Sequence, residues 1–169
     1  MSYSLDAVDR RLLELLQQDG RTTQKELARA VKLSQPAIAE RIRKLEKRGV
    51  ITGYAALVDA GQLGKDITAF IGVAIGHPRY FHGFAHRVLA NPDVLECHRV
   101  AGQDSYLLKV KTTNTASLDH LLIEELRTIP GVTRTHTTLV LSSIKESSQV
   151  QPTRPDPPPR PSKEERHAR

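Results

Sequence analysis

The side chains with the most chemical promise in this sequence are cations crowded into one short stretch. Between residues 21 and 50 stand nine Lys or Arg (Arg21, Lys25, Arg29, Lys32, Arg41, Arg43, Lys44, Lys47 and Arg48) against three acids, Glu26, Glu40 and Glu46. That stretch alone carries +6, the same as the whole 169-residue chain, whereas 61–150 carry nine bases and eight acids. A positive field confined to one segment suits a polyanion such as DNA. A solvated helix face would carry the same run of charge, so its meaning depends on the elements that hold it.

The other reactive residues promise less. His82 and His86 have i,i+4 spacing on a predicted helix with His77 nearby, but no acid or thiol adjoins the pair, so no metal site is expected. Cys97 is the sole cysteine, which excludes an intrachain disulfide. It adjoins His98, yet neighbouring strand residues point to opposite faces, so the two do not form a nucleophile and base. A small core residue is the expectation for Cys97. There is no Walker loop, no GxGxxG and no HExxH. No catalytic residue and no cofactor are expected, and the chain reads as something other than an enzyme.

Three helices account for the first fifty residues. The first is capped by Asp6, with Asp9 three residues on, and carries Val8, Leu12, Leu15 and Leu16 at helical spacing until Asp19-Gly20. The second opens on a capping box, Thr23 to Glu26, and shows Leu27, Ala28 and Val31 on one side. After a short turn, Ser34 caps the third, with Pro36 in its first turn, a buried stripe of Ile38, Ile42 and Leu45, and a stop at Gly49. Two short helices joined by a tight turn, the second one basic, fit a helix-turn-helix. On that reading Gln35, Ala37, Glu40 and Arg41 reach base edges. Arg can bridge guanine, Gln adenine, and Glu can accept from cytosine, each worth about 1–3 kcal/mol of discrimination. Thr22, Thr23, Ser34, Arg43, Lys44 and Lys47 are placed for phosphates, which position without reading sequence.

Beyond Gly49 the period changes. Residues 50–57 read as a strand crossing to the next module, and Gly61 to Gly64 as a hinge. Then follow a strand (67–75), a helix (80–90), strands (94–100 and 105–112), a helix (116–128) and a last strand (132–144). That βαββαβ order is ferredoxin-like, an antiparallel sheet with both helices on one face. The other face is expected to be apolar or mixed and covered by a second subunit. Residues 151–169 hold six prolines, five bases and three acids, and read as a disordered extension. No apolar run approaches the ~20 residues of a membrane span. The first residues show no basic-then-apolar leader. A cytoplasmic protein without a membrane partner is expected.

Several segments resemble the Lrp/AsnC, or feast/famine, regulators. In the first half these are Leu5 to Leu13, Leu16 to Arg21, Glu26-Leu27-Ala28, Leu33 to Ile38, Arg41 to Glu46 and Gly49 to Tyr54. In the second half they are Val94 to His98, Gly102, Tyr106 to Val110 and Leu126 to Val132, so the likeness runs in register over about 4–147. The resemblance implies an α+β chain with a winged-type helix-turn-helix domain at 1–60 and a hinge at 61–66. A ferredoxin-like βαββαβ effector-binding and assembly domain at 67–147 completes it, and composition makes 148–169 the expected disordered Pro-rich tail. The resemblance further implies double-stranded DNA as partner, self-association as a dimer often built up to octamers, and an amino acid or related metabolite as effector. The effector contacts implied are Gly102, Asp104, Ser105, Tyr106, His136, Thr137 and Thr138, although the threonines equally suit a plain strand.

One place departs from the family pattern, which commonly reads Gly-x-x-Asp-Tyr. Here Ser105 stands in the acid's place and Asp104 lies one position early. A shift of one residue along a strand flips a side chain to the other face, which re-aims the acid that would engage an ammonium. Two alternatives share the scaffold: an enzyme similar to the sirohaem decarboxylases, and a metabolite-sensing module whose helix-turn-helix touches only protein.

Overall fold

The computed structural model describes residues 4–152, which fall into two compact units divided at Ala56/Leu57 and Glu146/Ser147. The first unit contains α1 (Ala7–Gln18), α2 (Gln24–Val31) and α3 (Gln35–Lys47). Each starts on the predicted cap: Asp6 and Thr23 both close capping boxes, and the Ser34 hydroxyl accepts from the Ala37 amide. Leu12, Leu27, Ala28 and Ile38 form the core, with Val8, Leu15, Leu16, Val31 and Ile42 packed around it, and Leu45 is also fully buried. Each leucine or isoleucine fully withdrawn from water contributes about 1.5–3 kcal/mol. The turn from α2 to α3 is made by Lys32 in the left-handed region (φ 57°), after which the Leu33 amide donates to Ala28.

Two expectations fail here for physical reasons. Residues 50–57 form no strand, because among the described residues of this unit no second strand lies beside them to share a ladder. Tyr54 instead donates its hydroxyl proton to Glu46 at 3.1 Å and lies against Gly20. The expected tail disorder from 148 does not hold for Gln149 and Val150. The Gln17 amide clasps Val150 by accepting from its N–H at 2.7 Å and donating to its carbonyl at 3.0 Å, and Gln149 donates to the Gln17 carbonyl at 2.9 Å. The rest of that expectation, 153–169, lies outside the described residues.

The second unit starts at Leu57, and the segment expected as a hinge contains a short 3₁₀ turn, Gly61–Leu63, where Asp59 accepts from the Gly61 amide. Then come β1 (Ile67–Ile75), α4 (Phe81–Leu89), β2 (Val94–Arg99), β3 (Tyr106–Thr112), α5 (Thr115–His120) and β4 (Val132–Leu139). The sheet order is β2-β3-β1-β4 with every pairing antiparallel, as the βαββαβ reading requires. The last strand ends at Leu139 rather than 144.

Alternation decides the faces. Ala69, Ile71, Val73 and Ile75 of β1 join Tyr106, Leu108 and Val110 of β3 in one core with Phe84 and Val88 of α4 and Leu118, Leu121, Leu126 and Ile129. The helix expected at 116–128 widens after α5 into a π-helix, Leu121–Leu126, marked by Arg127 donating to Leu122. Ordinary α spacing from Leu121 would bring Glu124 or Glu125 to the sheet. The wider turn brings Leu126 there instead.

Gly131, in the turn before β4, has φ +90°, and a Cβ there would lie 2.3 Å from the Tyr80 ring. Gly83, inside α4, has open space around it. Gly131→Ala should therefore lower stability by about 2 kcal/mol or more. Gly83→Ala should raise it by about 0.5–1 kcal/mol. Thermal denaturation followed by circular dichroism reads both signs, and equal shifts would contradict the assignment.

Candidate nucleic-acid interface and effector region

The burial of Ile38 and Leu45 fixes which side of α3 meets solvent. Gln35, Lys44 and Lys47 are exposed, and Ala37 is half-buried near the capped end. Glu40 and Arg43 are paired along the helix: Arg43 Nε and Nη2 donate to the two Glu40 oxygens, each at 2.9 Å, and Lys44 lies 3.5 Å from the same carboxylate. The Arg43 hydrogen bond, followed by the Lys44 charge, holds the Glu40 carboxyl below its usual range. Thr22 donates its hydroxyl proton to the Asp19 carbonyl at 2.7 Å, Thr23 caps α2, and Ser34 caps α3. These three hydroxyls thus already serve the helix ends, whose unpaired N–H groups remain directed outward.

Arg41 departs from expectation. It does not extend toward solvent as a base reader. Its Nη1 lies 2.7 Å from Asp6 Oδ2 and 2.7 Å from Asp9 Oδ1, at the start of α1. Asp9 is only 2% exposed, and an acid buried among the apolar positions of α1 draws in a cation. These two hydrogen bonds raise the Arg41 pKa, while the Asp9 amide, ahead of Arg41, depresses that of Asp6. Sequence reasoning treated Asp6 and Asp9 as capping residues only. The available signal was Asp9 itself, which falls on the same side of the helix as Leu12 and Leu13.

The proposed effector residues do not converge on one face. Tyr106 is buried on the helix-covered side, its ring 5.6 Å from Phe81 (T-shaped) and 4.8 Å from Phe84. Thr137 pairs with Ile71 and so takes that covered side as well. Ser105 is committed to β1, its amide donating to Val73 and its hydroxyl accepting from Ile75 at 3.1 Å. Strand alternation turns Tyr106 and Thr137 to the covered side, and Ser105 is held to β1 by its own hydrogen bonds. His136 pairs with Gly72 and Thr138 with Phe70, which puts both on the open face.

Asp104 joins them there. Its carboxylate occupies the space above Gly72, where an added Cβ would lie 2.2 Å from Oδ2, and Arg134 Nη2 lies 3.3 Å from Oδ1. Arg134 was not anticipated. Gly102, at φ +151°, makes the turn leading into this corner. The remainder of the open face is mixed: Phe70 and Leu107 are partly exposed, while Lys109 bridges Glu96 and Glu146, and Lys111 lies 3.3 Å from Glu146.

Cys97 pairs with Leu108 and faces the helices, where burial pushes its thiol up. His98 takes the other face, 3.2 Å from Glu96. His82 and His86 are exposed on α4, and among the described residues no group of three or more His, Cys, Asp or Glu could hold a metal ion. No helix among these residues is long and apolar enough to cross a membrane.

Comparison with known proteins agrees with both units. Residues 5–52 match the model for winged helix-turn-helix DNA-binding domains, and 68–150 match that for the Lrp/AsnC ligand binding domain. The chain is 40% identical over 149 residues to the leucine-responsive regulatory protein of Rhizobium meliloti (strain 1021), covering 87% of this chain and 96% of that protein. Among solved structures it resembles a transcriptional regulator from Neisseria meningitidis in complex with L-methionine (TM-score 0.84, 32% identity, 87% of this chain and 96% of that one). It also resembles a feast or famine regulatory protein from M. tuberculosis complexed with L-methionine (TM-score 0.82, 35% identity, 88% and 100%). These relatives are regulators and not enzymes. With a DNA-binding helix-turn-helix unit and a ligand-binding unit matched over most of its length, the chain belongs to the Lrp/AsnC family of transcriptional regulators.

Proposed function

We propose that this chain is a sequence-specific transcriptional regulator of the cytoplasm. Its grip on DNA is set by an amino acid or related metabolite held on its second unit. The observation that carries this reading is α3 itself: two fully buried aliphatic side chains pin one side, leaving Gln35, Lys44 and Lys47 in solvent on the other. In a dimer, two such helices enter successive major grooves about 34 Å apart. Gln35, Ala37 and Glu40 lie toward the base edges. Thr22, Thr23, Ser34, Arg43, Lys44 and Lys47 lie toward phosphates, Arg43 exchanging Glu40 for the backbone.

The subunits pair through the open sheet face, where Phe70 and Leu107 are partly exposed between ion pairs. Effector binding then alters how dimers fit together on DNA, and higher assemblies such as octamers follow. For the effector, two structural neighbours that hold L-methionine support an amino acid. Asp104 and Arg134 suit a zwitterion, because its ammonium and carboxylate can replace each partner of that ion pair with the matching charge. His136 and Thr138 share the face, and Gly102 lets backbone approach.

Fluorescence anisotropy should show Lys44→Ala and Lys47→Ala weakening all duplexes alike, with the salt slope reduced by about one for each. Gln35→Ala should relax the preference at one base pair, by about 1–3 kcal/mol. Binding that ignores salt would overturn the interface. By light scattering, the native chain should have the mass of a dimer or a multiple of it, and Leu107→Lys that of a monomer. Titration calorimetry with L-methionine and L-leucine should show affinity dropping on Asp104→Asn and on Arg134→Gln. Unchanged affinity in both would remove that corner from the effector site.

A further inference from the structure

We propose that Arg41 is a positioning residue for DNA recognition: it clamps the middle of α3 to the first turn of α1 and thereby sets the angle at which α3 meets a duplex. This rests on the reading of α3 as the DNA-facing helix.

Each of the four carboxylate oxygens of Asp6 and Asp9 has a distinct task. Asp6 Oδ1 accepts from the Asp9 amide at 2.7 Å, and Asp9 Oδ2 accepts from the Asp6 amide at 3.4 Å, so the two acids lock each other in a capping box. The remaining oxygens, Asp6 Oδ2 and Asp9 Oδ1, both receive Arg41 Nη1 at 2.7 Å. The anchor is therefore rigid before the cation arrives. Arg41 is 32% exposed, Asp6 50% and Asp9 2%, so the clamp runs from solvent to the core of the unit. The pairs that Glu40 makes with Arg43 and Lys44 differ in kind. They lie within one helix, at i,i+3 and i,i+4, all largely exposed, and can exchange for phosphate at little cost.

Sending Arg41 to a base edge would draw the cation away from a carboxylate that is 2% exposed and uncover Asp6. Both changes oppose a polyanion. The clamp also adds a contact of defined direction between two helices otherwise joined by apolar packing.

The test uses full-length chains carrying Asp6→Asn, Asp9→Asn or Arg41→Lys. The probes are a duplex selected by the native chain from random sequence and a scrambled duplex of equal length. Asn caps a helix as well as Asp, so Asp6→Asn spares α1. Asp6→Asn and Asp9→Asn should each weaken the selected duplex about tenfold, the size of one lost base contact, with the scrambled duplex and the salt slope unchanged. Arg41→Lys, which keeps the charge, should recover part of the preference. A purely structural loss would weaken both duplexes together and overturn the proposal. Tighter binding of both by Asp6→Asn would overturn it too, because releasing a base-reading Arg41 from its acids improves binding. If Asp9→Asn does not fold, Asp6→Asn with its half-exposed side chain decides. A native chain that selects no duplex overturns the reading of α3 and this inference with it. Selection by the native chain with indifference in every variant overturns the inference alone.

Discussion

The orientation of α3 depends on a cation that crosses from one helix to another. Arg41 meets two carboxylates at 2.7 Å, one of them buried, and that contact adds direction to the packing of the helical trio. Apolar burial is non-directional. Leu12, Leu27, Ile38 and Leu45 hold the helices together. Direction comes from the polar groups, the capping boxes of α1 and α2 and the clamp between α1 and α3. The first unit thus assigns cohesion to aliphatic side chains and geometry to charged ones.

The second unit separates its labours by face. On the helix-covered side of the sheet, Tyr106 meets Phe81 edge-on and packs against Phe84 within the core. On the open side, ion pairs surround Phe70 and Leu107, a surface too polar for a core yet too apolar at its centre to be featureless. Gly72 connects the two roles. It belongs to the central strand, and only its missing side chain allows the Asp104 carboxylate to lie flat against the sheet.

The fold was largely legible because its signals were local. Caps at Asp6, Thr23 and Ser34 and the alternation of β1 are written in neighbouring residues, and those boundaries agree closely. What escaped was set by partners distant in the chain. Residues 50–57 have strand-like composition but no ladder partner among the described residues of their unit. Arg41 sits on the solvent side of an isolated helix, and only the presence of Asp9 in another helix turns it inward. His136, Thr137 and Thr138 read as a cluster because they are consecutive, although a strand sends alternate residues to opposite faces. Arg134 carried no signal without the register that brings it to Asp104.

The clasp between Gln17 and Val150 joins residues 133 positions apart within the same compact unit. During synthesis at about 5–20 residues per second, α1 waits roughly 7–27 s for that strand of chain to be made. The first unit is begun before the intervening sheet is made and completed only after all four of its strands have followed.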